Sequence, residues 1–305
     1  HSIMEQYGYG EIQTPAFEST ELFVRGIGND TDIVNKEMYS WTDQGGNALT
    51  LKPELTAPVV RAYLQHQLGN KNPIQRLWYF DSLFRRERPQ KGRQRQFYQF
   101  GAEAIGSPHP EQDAEIIAMA YNIYKTFDIQ EMNVRLNSIG SKEIRPIYLD
   151  KLRLSLMKET NELCHSCQAR LEKNALRVFD CKNTECQKLL DENAPLIFDS
   201  ISKDDRKHFD TACLMLDNMG IPYFHDKKLV RGLDYYSHTT FEITSSALGA
   251  QDALCGGGRY NGLIEQLGGK PTPAVGFAAG VERLILAIDK QENSVNSPDI
   301  YLISL

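Results

Sequence analysis

The residues of this sequence best suited to chemistry are arginines spaced so that several could meet one anion. Between Arg76 and Arg95 stand seven cationic side chains (Arg76, Arg85, Arg86, Arg88, Lys91, Arg93 and Arg95) against two acids, Asp81 and Glu87. That is a local excess of five positive charges in a chain whose net charge is −6. A concentrated basic patch on an acidic background suits a polyanion met at one place, although a solvated, salt-bridged hairpin would carry the same residues. Arg283 lies near the start of an apolar helical run, where a cation opposes the helix dipole unless an anion is shared there. Arg231, beside Gly232, would by itself pass as a surface residue.

These side chains need elements to position them. Two aromatic-rich apolar runs, Leu77 to Phe84 and Phe97 to Ile105, flank a polar segment containing Pro89 and Gly92, the pattern of a hairpin with a long loop. Arg85 and Glu87 then share one face, and Phe97, Gln99, Gly101 and Glu103 share a face of the return strand. A Gln and a Glu amid Phe, Tyr and Ile are costly in a core, so this face is expected to hold a ligand.

Upstream, Leu49 to Leu51 reads as a short strand broken by Pro53, with Glu54 or Thr56 able to cap a helix from Ala57 to Gln67. Residues 111–127 place Ile116, Ala120, Ile123, Tyr124 and Phe127 at helical spacing for packing, and Asn133 to Ser138 reads as a strand. Leu229 to Ile243 is a strand entered through a glycine turn. In Cys255-Gly256-Gly257-Gly258-Arg259-Tyr260 the glycines allow a close approach to a ligand or serve a tight turn. Their spacing is neither a dinucleotide fingerprint nor a Walker loop. Ala274 to Ile288 is a strand of small residues running into an apolar helix.

The 305 residues, 41% hydrophobic and 24% charged, describe an ordinary globular chain of one large or two smaller domains. No apolar run approaches a membrane span and no signal peptide is evident, so a cytoplasmic protein without a membrane partner is expected. The start at His1 and the strand-like end Ile300 to Leu305 read as a trimmed chain. From Ser141 to Pro222 the texture turns to long charged helical patterns, an inserted helical module. Inside it Cys164-x-x-Cys167 and Cys181-x4-Cys186, thirteen residues apart, have spacings that a four-thiolate structural zinc site tolerates, while reduced and partly buried thiols are the plainer reading.

Phe84-Arg85-Arg86-Glu87, the basic loop and Arg95-Gln96-Phe97 resemble the second signature motif of class II aminoacyl-tRNA synthetases, and the stretch as a whole resembles histidyl-tRNA synthetases. Tyr7 to Pro15 resembles the first class motif and the segment around Arg283 the third. Pro53-Glu54-Leu55-Thr56-Ala57 and Cys255 to Gly262 are similar to segments of the histidine enzymes. Arg231 to Tyr236 closely resembles a signature specific to them.

The resemblance implies an α+β class II synthetase fold, an antiparallel sheet flanked by helices with an inserted, mainly helical module. The expected division is a catalytic domain over 1–140 and 223–294, the module over 141–222, and the start of a truncated C-terminal domain over 295–305, the anticodon-reading part being absent. It implies activation of L-histidine by ATP with Mg²⁺, transfer to a histidine tRNA, and a homodimer formed through the first motif.

Residue by residue, the resemblance puts Arg85 and Arg231 on the α-phosphate, Arg93 and Arg283 on the outer phosphates, and Glu87 and Phe97 in the ATP site. Glu54, Thr56 and Gln99 would hold the amino group, Arg231 the carboxylate, and Glu103 and Tyr236 the imidazole, with Tyr235 and Tyr260 near by. Arg86, Arg88, Lys91 and Arg95 would meet tRNA. Guanidinium groups grip phosphate oxygens in a fork, so catalysis is expected to be electrostatic and positional. The runner-up is a catalytically silent relative that binds histidine and regulates an ATP phosphoribosyltransferase, which Arg231, the complete basic loop and the insertion disfavour.

Overall fold

The computed structural model describes residues 1–28, 31–89, 92–249 and 252–289. In chain order the elements are α1 (Ser2–Gln6), β1 (Gly10–Glu11), β2 (Phe17–Ser19), α2 (Thr20–Ile27), β3 (Ser40–Thr42), β4 (Ala48–Leu51), α3 (Thr56–Gln65), α4 (Leu68–Lys71), β5 (Gln75–Phe84) and β6 (Gln96–Ile105). There follow α5 (Pro110–Thr126), β7 (Met132–Ser138), α6 (Ile144–Ser155), α7 (His165–Lys173), α8 (Thr184–Asn193), α9 (Lys203–Asn218), β8 (Phe224–His225) and β9 (Ser237–Ser245). The last are β10 (Ala253–Arg259), α10 (Leu263–Gln266), β11 (Ala274–Gly280) and α11 (Val281–Asp289).

Eight strands form one sheet in the order β1-β5-β6-β11-β10-β9-β7-β8, antiparallel except for the parallel pairs at its two edges. A small antiparallel sheet, β2-β4-β3, stands beside it. The α+β class expected from the sequence is what the chain adopts.

Alternation along each strand of the large sheet separates two cores, one on each face. Trp78, Phe100, Ala102, Phe241, Ile243, Val275 and Phe277 point to the side covered by α5 and α9. Leu77, Tyr79, Leu83, Tyr236 and Tyr260 point to the side covered by α3 and the helical segment after β7. Register lines up the second face in rows: Tyr79, Gly101, Ala278, Gly256 and Glu242 form one, and Asp81, Gln99 and Gly280 the next. Small residues at the middle of these rows leave a hollow floored by strand backbone.

Three details depart from the sequence expectations. The helix α9, opened by a Ser202/Asp205 capping box, packs Phe209 and Leu216 into the same core as α5, so the end of the 141–222 segment belongs to the main sheet's cover. Phe127 caps α5 and is 45% exposed rather than packed. The glycines of 256–258 lie within strand β10, not in a turn. Arg259, at the strand's end, is fully buried with Asp113 and also donates to the Ser107 and His109 carbonyls. Burial raises the Asp113 carboxyl, but Arg259 and His208 outweigh it and pull it down to about 2. That arginine is a strut. The residues from 295 onward, expected to begin another domain, lie outside the described residues.

Candidate active site

The hollow over the small-residue rows is a cavity of about 450 Å³, within the usual range for a small-molecule site. Among its lining residues are Glu54, Thr56, Arg85, Glu87, Arg93, Phe97, Gln99, Arg231, Tyr235, Tyr236 and Arg283. Residues from 54 to 283 therefore converge on one place, brought there by β5, β6, β9, β10, β11 and the loops that enter them.

One end gathers arginines. Arg85 donates from Nε to the Pro53 carbonyl at 2.8 Å and lies 5.3 Å from the centre of the Phe97 ring. Glu87 bridges Arg85 at 3.8 Å and Arg93 at 3.1 Å. Arg283, in the first turn of α11, donates to the Ala253 carbonyl at 2.7 Å. Burial and then the nearby Arg93 weigh against its charge and lower its pKa, the condition of a cation crowded by cations.

Arg231 lies flat over strand β10. Its Nη1 donates to Glu242 at 2.7 Å, and its buried Nε has no hydrogen-bond partner among the described residues. A Cβ at Gly256 would overlap the guanidinium, so this glycine serves to seat Arg231 rather than a ligand.

The other end is built from hydroxyls and carboxyls. Glu54 accepts from the backbone N–H groups of Thr56 and Ala57 at 2.8 and 2.9 Å, which fixes the start of α3. Burial raises its pKa against those bonds. The rings of Tyr235 and Tyr236 lie 4.7 Å apart. Burial also raises the Tyr236 phenol, with Arg231 pulling the other way.

Glu103 and Tyr260 lie deeper than the other expected site residues. They do not line the cavity: Glu103 is 1% exposed and Tyr260 1% exposed, one layer behind its wall. Glu103 accepts from the hydroxyls of Thr56 at 2.8 Å, Tyr79 at 3.1 Å and Tyr260 at 2.6 Å, with Gly276 opposite so that the carboxylate has room. Burial pushes its carboxyl up to about 7 against the pull of Tyr260, Thr56 and Tyr79. Alternation predicts the correct face for Glu103 but not its depth.

The basic loop is less free than its composition suggests. Arg86 is tied to the 33–37 segment through its backbone N–H to the Glu37 carbonyl and its Nε to the Lys36 carbonyl. Arg88 and Arg95 are exposed, and Lys91 lies outside the described residues.

Sequence reasoning missed Asp32, Glu37, Arg177, Asp180 and Glu242, which also line the cavity. Of these only Glu242 carried a signal, a carboxylate within the strand that follows Arg231. With these and Glu282 included, seven carboxyl side chains and five guanidiniums line the cavity. Each arginine is held ready by an acid or a carbonyl.

A family model described as histidyl-tRNA synthetase matches residues 1–284. The chain belongs to the histidyl-tRNA synthetase family. A curated relative of this family, the histidine–tRNA ligase of Halothermothrix orenii, is 50% identical over 306 residues, covering 99% of this chain and 73% of its own. The crystal structure of apo S. aureus histidyl-tRNA synthetase superposes with a TM-score of 0.74 at 38% identity, over 95% of this chain and 67% of that one. A structure named as an ATP phosphoribosyltransferase regulatory subunit/histidyl-tRNA synthetase from Bacillus halodurans has a TM-score of 0.67 over 94% of this chain and 76% of that one. At 23% identity it shares the fold alone.

Among the described residues no helix is long and apolar enough to cross a membrane. The four cysteines of the helical segment do come together.

Proposed function

We propose that this chain activates L-histidine with ATP to histidyl-adenylate and passes histidine to the 3′ end of its tRNA, working in the cytoplasm as a homodimer joined through the segment around Tyr7 to Pro15. One observation carries this reading: Arg85, Arg93, Arg231 and Arg283 meet Glu54, Thr56, Gln99 and the tyrosine pair in a single cavity.

In activation a histidine carboxylate oxygen bonds to the α-phosphorus while the bond to the bridging oxygen breaks and pyrophosphate leaves. Arg231 lies between the two ends of the cavity, where it reaches both the carboxylate and the α-phosphate. Arg85 shares the α-phosphate, and Phe97, under Arg85, stacks on the base. Arg93 and Arg283 take the outer phosphates. None of these groups moves a proton; they hold two anions together and stabilise charge already placed.

A cavity richer in carboxyls than guanidiniums does not suit a bare nucleotide. Glu87 and Glu242 are hard oxygen donors beside the arginines, the kind of ligand Mg²⁺ takes when it arrives on phosphates. When bound, the ion neutralises the pyrophosphate that leaves.

Glu54, Thr56 and Gln99 accept from the amino group. For the imidazole, a ring N–H displaces the Thr56 hydroxyl from the Glu103 carboxylate, and the Tyr236 hydroxyl serves the other nitrogen. Tyr235 and Tyr260 hold these partners in place.

Labelled histidine should be esterified to tRNA by the intact protein in an ATP-dependent manner; no product with histidine but a product with another amino acid would contradict the reading. Arg86, Arg88, Lys91 and Arg95 are assigned to the acceptor end of the tRNA, through its phosphates first. The double charge reversal Arg88→Glu with Arg95→Glu is expected to lower the transfer rate about tenfold or more while adenylate formation stays within about twofold, since rim charges act on encounter. Equal loss in both steps would remove the loop from the tRNA interface.

A further inference from the structure

The cysteine quartet is not used by the chemistry above, yet it is the most organised cluster outside the cavity. The Sγ atoms of Cys164, Cys167, Cys181 and Cys186 all lie within 4.8 Å of one another, and Cys164 and Cys181 are 3.8 Å apart. Four sulfurs at about 2.3 Å from a tetrahedral zinc are about 3.8 Å from each other by geometry. A disulfide needs about 2.05 Å, and these cysteines are free.

The backbone prepares the sulfurs as ligands. Cys164 is the N-cap of α7 and Cys186 lies in the first turn of α8, so two helix N-termini face the cluster. The Cys164 N–H donates to the Cys186 sulfur at 3.2 Å and the Asn183 N–H to the Cys181 sulfur at 3.4 Å. Such N–H···S bonds favour thiolates and orient them. Asn183 holds the second turn by accepting from the N–H groups of Glu185 and Cys186 at 2.9 and 3.2 Å. Cys167 and Cys186 are buried, whereas Cys164 is partly open, which leaves an entry path.

We infer that these four cysteines bind one zinc ion as a closed, structural four-thiolate site. Soft thiolates in a tetrahedral set select zinc or iron over hard cations, and a site closed by four protein ligands leaves no position for catalysis. Its role lies in what the cysteines enclose. The segment between Cys167 and Cys181 carries Arg177 and Asp180, which line the cavity, and Asp180 is the residue next to Cys181. Arg177 also pairs with Asp32 at 3.0 Å, and Asn174 with Asp234 at 2.6 Å. The ion pins that wall of the cavity from behind.

Metal analysis of the full chain purified under reducing conditions is expected to give one zinc per chain. Cobalt substitution should give the intense visible absorption of a tetrahedral thiolate site. Cys181→Ser should drop zinc content to near none and lower the thermal midpoint, whereas Cys213→Ser should leave zinc unchanged. If Cys181→Ser fails to fold, mercurial titration of the native chain decides instead: zinc should be released in step with modification of four thiols. A metal-free chain with four freely titrating thiols, a pair of disulfides, or iron in place of zinc would overturn the assignment. Metal content does not depend on the activity proposed above. The effect on the cavity does rest on that reading: stripping zinc with a chelator should raise KM for histidine several-fold, reversed by zinc and not by magnesium, and no change would free the wall from the metal.

Discussion

Replacing Arg231 by glutamine is expected to lower histidine-dependent exchange of pyrophosphate into ATP by about 10³-fold, the scale on which positioned cations act on phosphoryl chemistry. Two effects combine. The shared grip on carboxylate and α-phosphate is lost, and Glu242, which faces Arg231 at 2.7 Å, keeps only Arg135 at 3.1 Å as a partner beside two incoming anions. The loss should fall mainly on kcat.

The same reasoning makes Gly256→Ala informative. The added methyl overlaps the guanidinium and pushes it off the strand, so all charges remain while one of them is displaced. About 10²-fold loss is expected, since a shift of about 1 Å at a reacting centre costs that much. Full activity in Gly256→Ala, measured with the same exchange assay, would mean that Arg231 need not lie where the structure puts it.

Glu103→Ala is expected to raise KM for histidine about 10- to 100-fold while ATP binding stays within about twofold. Its loss takes the carboxylate acceptor from buried hydroxyls on Thr56, Tyr79 and Tyr260, of which Tyr79 keeps the Phe277 carbonyl at 3.3 Å, at about 1–3 kcal/mol for each group left without a partner, and removes the acceptor for the ring. Thr56→Val serves as the comparison: it removes both the donor that competes with the imidazole and one of three acceptors for the amino group, so its KM should rise less than that of Glu103→Ala. Similar changes in both variants would leave Glu103 as a support for Thr56 alone.

The sign of the pH dependence follows from the raised carboxyl. With a folded pKa of about 7, the folded chain holds this proton more tightly than the unfolded one. The group's stabilising contribution is therefore full below the ordinary carboxyl range and is lost as pH rises through about 7. An imidazole N–H needs the ionised form, so KM for histidine should fall across the same window. Glu103→Gln should remove the stability trend and leave only the titration of the substrate's own ring in KM.

The sequence made most of the scaffold legible where local rules dominate. The run from Gln75 to Ile105 alternates strongly enough to give two strands and the face of each residue, and the small residues before Arg283 marked a strand leading into a helix. Depth was not legible. Alternation puts Gln99 and Glu103 on one face, but only the packing of α3 and Tyr260 over that face decides that one lines the cavity and the other lies behind it. The glycine run was visible as letters, while its purpose depended on Arg231 arriving from another segment. Asp32, Glu37, Arg177 and Asp180 reach the cavity from segments with no local pattern, because tertiary folding alone brings them in. Conversely, two tight cysteine pairs carry their own geometry, and the sequence placed them as a possible quartet before any packing was known.

The most direct measurement of the central claim is pyrophosphate exchange with each of the twenty amino acids in turn, using the chain with ATP and Mg²⁺. One arginine-lined cavity with an imidazole-reading wall predicts exchange that depends on histidine, with the other amino acids at background. Exchange driven equally by another amino acid, or histidine binding with no exchange at all, would contradict it.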